Sequence, residues 1–594
     1  MTLLQKIGIG LFVIGLGVFT AVLGLDSYKI QAADISIDNE YHQQAFMDAA
    51  TSTALFNQEY ASNVSFMAAL KNTFKAAQGS LQKQPIPDGV NEWGFKLGDW
   101  KFKDYFKPAL VKNASFGTVN DNPIRWWLLS VGLALLGGLF YIIPKFNSLP
   151  GIKNNGIFHS PMERGLTWKW RALALGVTIP GILIYGFFYS YDWFWPLVTT
   201  LVVGLIIGLV LFYQKSKDNN PQRSAGPDLT GWLGIVTGIY MISFYIFLYW
   251  APHYITGWMT MFDPFSMALN GGPASQWFVY GMLYTLIIIV MGTRMIAKYR
   301  HNKYQLIRTG SVMFFQTAFA FLIPEILSLL NKPSMDLKSI WPLNYTFFFD
   351  YNIDNLITSG GLGIFMLVWG IVLVVIAVPL ITYFLGKRWY CSWVCGCGGL
   401  AETLGDPFRQ LSDKSVRAWK YERWIIHGVL VFAVVMTAMT LYTYFSGSSQ
   451  VMGVNTINVR SWYGFLIGAG FSGVVGTGFY PLMGNRVWCR FGCPLAAYLG
   501  LVQRFKSRFR ITTNGGQCIS CGNCSTHCEM GIDVRSYAQK GQDIVRASCV
   551  GCGICSAVCP RGVLKLENGS GDGTERTELM RAIHISEDEV RLLS

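Results

Sequence analysis

Long uninterrupted apolar runs constrain the fold of this chain more than any other feature of its sequence. A bilayer core about 30 Å thick needs about 20 apolar helical residues to cross it. Only 14% of the 594 residues are charged, against roughly 25% in ordinary soluble domains. The sequence therefore predicts an all-α polytopic membrane protein of about ten transmembrane helices. The ten predicted spans are residues 4–25, 126–143, 172–190, 195–213, 230–250, 277–293, 309–330, 359–385, 424–445 and 462–483.

The first apolar run has two interpretations, a membrane anchor or a cleaved signal peptide. It is longer than the apolar part of a typical signal peptide, and no clear pattern of small residues marks a cleavage site after it. We therefore expect residues 1–25 to remain as an N-terminal membrane anchor.

The distribution of Lys and Arg predicts the orientation in the membrane, since cytoplasmic loops carry an excess of these residues. If the N-terminus is cytoplasmic, the inside loops hold 20 basic residues and the short outside loops hold 3. The inside loops are then 144–171, 214–229, 294–308 and 386–423, and the outside loops are 191–194, 251–276, 331–358 and 446–461. We expect a bacterial inner-membrane protein with both termini in the cytoplasm. The net charge of +14 reflects this bias, so we expect no nucleic-acid partner.

The segment 26–125 is less apolar than the rest and carries 10 basic and 11 acidic residues. The loop charges predict that it is a small extracytoplasmic domain of about 100 residues. Within it, the alanine-rich stretch from Asp48 to Gln78 has apolar residues three and four apart, which predicts one amphipathic helix.

Cysteine spacing near the C-terminus is the strongest functional signal. All 13 cysteines lie between residues 391 and 559, which favours metal chemistry over a disulfide framework. Eight of them form two C-x2-C-x2-C-x3-C motifs, the spacing of bacterial two-cluster ferredoxins, in which each motif lends its fourth cysteine to the other cluster. One [4Fe-4S] cluster is then expected on Cys518, Cys521, Cys524 and Cys559, and the second on Cys549, Cys552, Cys555 and Cys528.

Zinc is the alternative for paired C-x2-C motifs, but eight thiolates in this doubled pattern favour iron–sulfur clusters. The second motif ends in Cys559-Pro560, whereas the first ends in Cys528-Glu529 and lacks the usual proline. We expect a C-terminal α+β two-cluster ferredoxin-like domain that conducts electrons and has no catalytic residues of its own.

Five further cysteines follow predicted spans eight and ten. The segments W-Y-Cys391-S-W-V-Cys395 and W-Cys489-R-F-G-Cys493 each place a C-x3-C pair just after a basic residue, so they form an internal repeat. Four thiolates at the same membrane edge could hold a further iron–sulfur cluster, with Cys397 as a substitute ligand or a spare. The alternative is a set of packed or redox-active thiols without metal.

These motifs, followed by the two-cluster tail, resemble the NapH/NosR/CcoG group of membrane polyferredoxins over roughly residues 360–567. The resemblance implies quinol-linked or cytochrome-linked electron transfer, or an accessory role, in anaerobic or microaerobic respiration. The chain departs from the group where Gly396-Cys397-Gly398 follows Cys395, a place that usually holds proline. It also lacks the flavin-attachment threonine motif of NosR in residues 26–125, so covalent FMN is not expected.

Three functional hypotheses remain open beside each other. The first is an electron-transfer component, rather than a self-contained enzyme, that relays electrons between a cytoplasmic or quinone donor and a membrane or extracytoplasmic respiratory acceptor. The second is an accessory factor that supplies electrons for maturing a copper or haem centre, and the third is a redox-sensing regulator. Expected partners are the lipid bilayer, a respiratory reductase or cytochrome, and a quinone. The expected domains are 1–25, 26–125, a transmembrane bundle of unknown kind over 126–358, a transmembrane part with the paired motifs over 359–500, the ferredoxin domain over 501–567 and a polar tail over 568–594.

Overall fold

The computed structural model describes most of the chain and divides it into two compact units. The described residues are 2–37, 39–86, 106–146, 232–568, 583–585 and 590–592. Unit one comprises residues 1–148, 243–286 and 325–331, and unit two comprises 149–242, 287–324 and 332–594. The predicted spans at 172–190 and 195–213 lie outside the described residues, as does most of the predicted tail.

Six helices in the described part are long and apolar enough to cross a membrane. Each coincides with one predicted span. Their bounds are Leu3–Gly24, Pro123–Phe146, Gln276–Tyr299, Lys303–Leu329, Gly361–Leu385 and Val416–Ser446. The fifth predicted span corresponds to the helix Trp232–Trp250. Its apolar part, Val236–Trp250, is shorter than the six candidate spans.

The last predicted span, 462–483, is built differently from the others. It consists of Thr456–Tyr463, the π-helical segment Gly464–Val475, Gly476–Gly478 and Tyr480–Met483. None of these is among the six candidate spans of the described residues. The structure therefore supports a mostly helical membrane protein with six candidate spans, and the count of ten stays a prediction.

Unit one contains two helices where the alanine-rich stretch predicted a single one. These helices, Glu40–Ser52 and Asn63–Lys83, are separated where Ala54 adopts a left-handed conformation with φ 56°. The Ser62 side chain then accepts from the backbone N–H of Ser65 and caps the second helix. The prediction of one helix was wrong. The helical spacing of the apolar residues continues across Ala54, where the backbone leaves the helical conformation.

Unit one has a hydrophobic core centred on these two helices. Phe46, Phe66, Leu70 and Leu81 form the centre of their core and are fully buried. The remaining helices are Phe106–Ala114, Thr118–Asp121, Pro123–Trp127, Leu133–Phe146 and Thr256–Asn270, and the paired strands are Ser27–Tyr28 and Ser115–Phe116.

Glycines allow two membrane helices of unit one to pack in close contact. A Cβ atom on Gly8 would lie 2.6 Å from the carbonyl oxygen of Gly137, and one on Gly15 would lie 2.6 Å from that of Ser130. Small residues are a common basis for helix association within a bilayer, since they let two backbones approach. This packing explains why Gly8 and Gly15 are glycines.

Unit two holds every cysteine of the chain. The antiparallel strands Arg510–Thr513 and Leu564–Glu567 frame the ferredoxin domain together with the short helices Asn523–Thr526, Val534–Gln539 and Ile554–Ala557, which gives the predicted α+β domain. The other helical segments are Lys303–Phe314, Phe315–Leu322, Asp350–Thr358, Gly361–Val372, Leu373–Ala377, Val378–Leu385, Arg388–Cys391, Gly396–Thr403, Asp406–Leu411, Val416–Ser446, Trp488–Gly492 and Pro494–Lys506.

Candidate metal centres

The first predicted set of ferredoxin cysteines surrounds one cavity, here called site A. Cys518, Cys521, Cys524 and Cys559 all line it, and its lining residues include no Asp, Glu or His. Burial, together with the nearby thiols of the other three, raises the pKa of the Cys524 thiol to about 12. A cavity whose donors are four thiols fits an iron–sulfur cluster.

The second predicted set, here called site B, is more deeply enclosed. Burial raises the pKa of Cys555 well above its usual range, and the thiols of Cys552, Cys549 and Cys528 add to this effect in that order. The thiol of Cys524 in site A also acts on Cys555. Because such effects require proximity, the four sulfurs of site B lie near one another and near Cys524 of site A.

Equivalent backbone hydrogen bonds in the two motifs reveal the duplication within the ferredoxin domain. The N–H of Thr526 donates to Gly522 O, and the N–H of Ala557, 31 residues later, donates to Gly553 O. Gly522 and Gly553 have φ values of 77° and 74°, a left-handed conformation that glycine adopts without strain. Each glycine stands two residues before the third cysteine of its motif, Cys524 or Cys555.

The membrane-edge cysteines form a third group, here called site C, in which the two C-x3-C pairs converge. Burial raises the pKa of Cys493 well above its usual range, and the thiols of Cys489, Cys395 and Cys391 raise it further. These four side chains are only 5–6% exposed. Cys397 joins them, because its thiol donates to Cys395 and interacts with Cys489 and Cys493.

The two halves of site C repeat the same local structure 98 residues apart. The N–H of Cys395 donates to Tyr390 O at 2.7 Å, and that of Cys493 donates to Trp488 O at 2.9 Å. Each of these cysteines then caps a helix, Gly396–Thr403 or Pro494–Lys506. In the second half, the sulfur of Cys493 accepts from the N–H of Ala496 at 3.4 Å, and in the first half the backbone N–H of Gly398 lowers the pKa of Cys395.

Hydrogen bonding and burial act in opposite directions on the thiols of the first half. The bond from Cys397 lowers the pKa of Cys395 to about 6 despite burial. Burial raises the pKa of Cys391 to about 12, although the nearby Lys387 opposes this rise. The Lys387 cation and the N-terminus of helix Gly396–Thr403 thus lie beside the thiols of site C, which are otherwise shielded from water.

A buried group of charged residues, here called the ionic cluster, borders sites B and C. Its carboxylates are Glu402, Asp406 and Glu529, and its cations are Arg294, Lys298, Arg308, Arg409 and Arg486. Arg409 is central, with 2.7 Å contacts to both Glu402 and Glu529. Burial alone would raise the pKa of Glu402, but the guanidinium groups of Arg308, Arg409 and Arg486 hold it well below its usual range.

The ionic cluster approaches a sulfur on each of its two sides. Ligand atoms of Glu402, Glu529 and Cys552 all lie within 4.8 Å of one another. Arg486 donates to the sulfur of Cys489 at 3.6 Å. Because the carboxylates already pair with arginines, they are better explained as partners of those cations than as metal ligands.

One membrane helix, Lys303–Leu329, bonds to the cysteine loops of both sites. Near its start, the Tyr304 hydroxyl donates to Gly551 O and the Gln305 amide donates to Cys552 O, each at 2.8 Å. Two and three turns later, Ser311 donates to Trp393 O at 3.0 Å and Gln316 donates to Val394 O at 2.6 Å. The helix therefore fixes the loops of sites B and C against one scaffold.

Sequence reasoning missed the ionic cluster and the role of this helix. Their contacts join residues far apart in the chain, so no local spacing indicates them. One signal was present, because Glu529 stands where the ferredoxin motif usually has proline. Its fully buried side chain contacts Arg409 and Arg486, which gives that departure a structural reason.

Comparisons with known protein families agree with the two kinds of cysteine motif. A family described as "4Fe-4S dicluster domain" matches residues 517–564, which contain sites A and B. A family described as "4Fe-4S binding domain" matches residues 365–415 and 463–512, the two halves of site C. The chain thus contains 4Fe-4S-binding domains, and the prediction of two [4Fe-4S] clusters is confirmed.

Two curated proteins are distantly similar to part of the chain. YccM of Escherichia coli (strain K12), whose name describes an electron transport protein, is 30% identical over 165 residues, 26% of this chain and 44% of YccM. The methylamine utilization ferredoxin-type protein MauN of Paracoccus denitrificans (strain Pd 1222) is 28% identical over 171 residues, 27% of this chain and 55% of MauN. The chain thus spans about half the length of these relatives. No solved structure matches it significantly.

Proposed function

We propose that the chain is a membrane-bound electron-transfer protein that holds three [4Fe-4S] clusters, one each at sites A, B and C. Cys518, Cys521, Cys524 and Cys559 are the proposed ligands at site A, and Cys549, Cys552, Cys555 and Cys528 those at site B. Cys391, Cys395, Cys489 and Cys493 are the proposed ligands at site C, with Cys397 as a hydrogen-bond donor. A [4Fe-4S] cluster, when bound, exchanges single electrons at a potential that its protein surroundings set.

The observation that carries this proposal is the direct connection between the loops of sites B and C. Ser392, between two cysteines of site C, donates from its hydroxyl to Val550 O at 2.8 Å, between two cysteines of site B. The Gln503 amide, on the helix that Cys493 caps, donates to Cys549 O at 2.9 Å. These bonds hold the ferredoxin domain against the membrane-edge motifs, as a relay requires.

Exposure supports an order in which site A is the outer end of the relay. Ile519 beside Cys518 is 46% exposed, and Pro560 and Arg561 beside Cys559 are also exposed. One of the four thiols is buried at site A (Cys524), against two at site B (Cys549 and Cys555). Electrons would therefore enter or leave at site A, pass site B and reach site C at the membrane edge.

The proposal extends to the cellular setting. The apolar helices and the loop charges support an inner-membrane location with a cytoplasmic ferredoxin domain. The electron-transport and ferredoxin-type names of the two relatives support electron transfer as the function. The donor at site A is then a cytoplasmic redox protein, and site C serves a quinone or a respiratory reductase or cytochrome.

Freeze-quench EPR spectroscopy tests the proposed order. The anaerobically purified protein, in lipid nanodiscs, is mixed with dithionite, a charged reductant that does not enter the bilayer. We expect dithionite to reduce site C through the two ferredoxin clusters rather than directly. The double variant Cys518→Ser/Cys549→Ser should slow the reduction of site C at least tenfold. Equal rates of site C reduction in the variant and the wild type would contradict a relay through sites A and B.

A further inference from the structure

Arg486 occupies a buried position between site C and the ionic cluster. On one side its guanidinium donates to Cys489 Sγ at 3.6 Å and to Cys391 O at 3.2 Å. On the other side it lies 2.8 Å from Glu402 and 3.0 Å from Glu529. Its side chain is fully buried, so little water screens its charge.

The repeat shows that this arrangement is specific to one half of site C. Gly386 and Gly484 each have positive φ and begin the turn five residues before the first cysteine of their pair. In this register Arg388 is the counterpart of Arg486. Its guanidinium instead lies 4.5 Å from the centre of the Phe509 ring and donates to Asn568 at 2.9 Å, without a hydrogen bond to a site C sulfur among the described contacts.

A cation that donates to a ligand sulfur has a defined effect on an iron–sulfur centre. Net charge, hydrogen bonds to sulfur and solvent exposure set the reduction potential. Reduction adds negative charge, so a buried guanidinium beside a thiolate favours the reduced state. Lys387, which acts electrostatically on Cys391, adds a second positive charge to the same surroundings.

We propose that Arg486 is a positioning residue that raises the reduction potential of site C, so that electrons flow from site B towards the membrane edge. The ionic cluster holds the guanidinium in place, because one of its nitrogens pairs with Glu402 and Glu529. The other nitrogen donates to Cys489 Sγ. This inference rests on the proposed function, because it requires a cluster at site C.

EPR-monitored redox titration of the holoprotein tests this role with matched variants. Arg486→Lys keeps the charge, but one ammonium group cannot reach Cys489 and both carboxylates at once. Arg409→Lys disturbs the same ionic cluster without a described contact to a site C thiol, and Arg388→Gln changes the equivalent residue of the other repeat. The double variant Arg486→Gln/Glu402→Gln removes the cation together with one carboxylate, so no extra buried negative charge remains.

We expect Arg486→Gln/Glu402→Gln to shift the redox equilibrium of site C at least tenfold towards the oxidised form. This equals a midpoint lower by about 59 mV for a one-electron couple. Arg486→Lys should give a smaller shift in the same direction, and neither control should move the site C midpoint.

Three outcomes would overturn the assignment. An unchanged midpoint in both Arg486 variants, or an equal shift in Arg409→Lys, would show that Arg486 has no specific effect on site C. Loss of the site C signal from both Arg486 variants, with the ferredoxin signals intact, would make Arg486 a residue required for assembly. Absence of a third signal from the wild-type protein would reject the cluster at site C together with this inference.

Discussion

Arg409 shows at the scale of single residues what the sequence could not predict. The cysteine ligands are predictable because their spacing of two and three residues is itself the requirement of the cluster. Arg409 contacts Glu529, which lies 120 residues away in the chain, and only folding brings the two together. A charged residue in the sequence is expected at the surface by default, so its burial could not be inferred.

Removal of Arg409 tests how much the ionic cluster contributes to the stability of the folded protein. Arg409→Gln removes the one cation that Glu402, Asp406 and Glu529 share, and the removal of one partner from a buried ion pair costs about 3–5 kcal/mol. We expect a clear fall in the temperature at which cluster absorbance is lost. Lys29→Gln is the control, because it breaks an exposed pair with Glu59 worth about 0–1 kcal/mol. Equal behaviour of the two variants would contradict a stabilising ionic cluster.

Serine substitutions test whether the four thiols of site C act together. Cys391→Ser, Cys395→Ser, Cys489→Ser and Cys493→Ser should each abolish the same EPR signal and leave both ferredoxin signals intact. Cys397→Ser should retain that signal, because a serine hydroxyl can still donate to Cys395. Different losses among the four variants would favour packed or redox-active thiols over a shared cluster.

At the scale of secondary-structure elements, apolar length predicted the six described spans well. The predicted span 462–483 is not among these six candidates of the described residues; glycines are frequent in it, and Ala469, Gly470 and Gly473 are buried. Hydropathy reports partition into lipid, whereas this segment packs largely against other parts of unit two. The contacts of helix Lys303–Leu329 could not be predicted either, because its polar residues donate hydrogen bonds to loops that follow much later in the chain.

The short helix Gly396–Thr403 gives a test at this scale. A Cβ atom on Gly398 would collide with the carbonyl oxygen of Cys391, and it would lie 3.0 Å from the Arg486 guanidinium. Gly398→Ala should therefore displace the first half of site C and weaken or remove its EPR signal. Gly428→Ala is the matched control, because a Cβ atom there meets nothing within 4 Å. Identical site C spectra for both variants would contradict the close packing of this helix.

At the scale of the whole molecule, the loop charges predict that residues 26–125 lie outside the cytoplasm and that the ferredoxin domain lies inside it. Fusions of alkaline phosphatase, which is active only outside the cytoplasm, can be made after Gln78 and after Ser594. The first should be active and the second inactive. Green fluorescent protein fused at the same two positions should give the opposite pattern. Phosphatase activity at Ser594 would reverse the orientation and place the ferredoxin domain outside the cytoplasm.

The central claim is that three clusters, held by twelve cysteines, connect the ferredoxin domain with the membrane edge. Iron and sulfide analysis of the anaerobically purified protein, combined with EPR of the reduced state, tests it most directly. Three [4Fe-4S] clusters predict about twelve irons and twelve sulfides per chain, and Cys391→Ser/Cys489→Ser should reduce both numbers to about eight. A wild-type protein with about eight irons and two signals, unchanged in that variant, would contradict the claim.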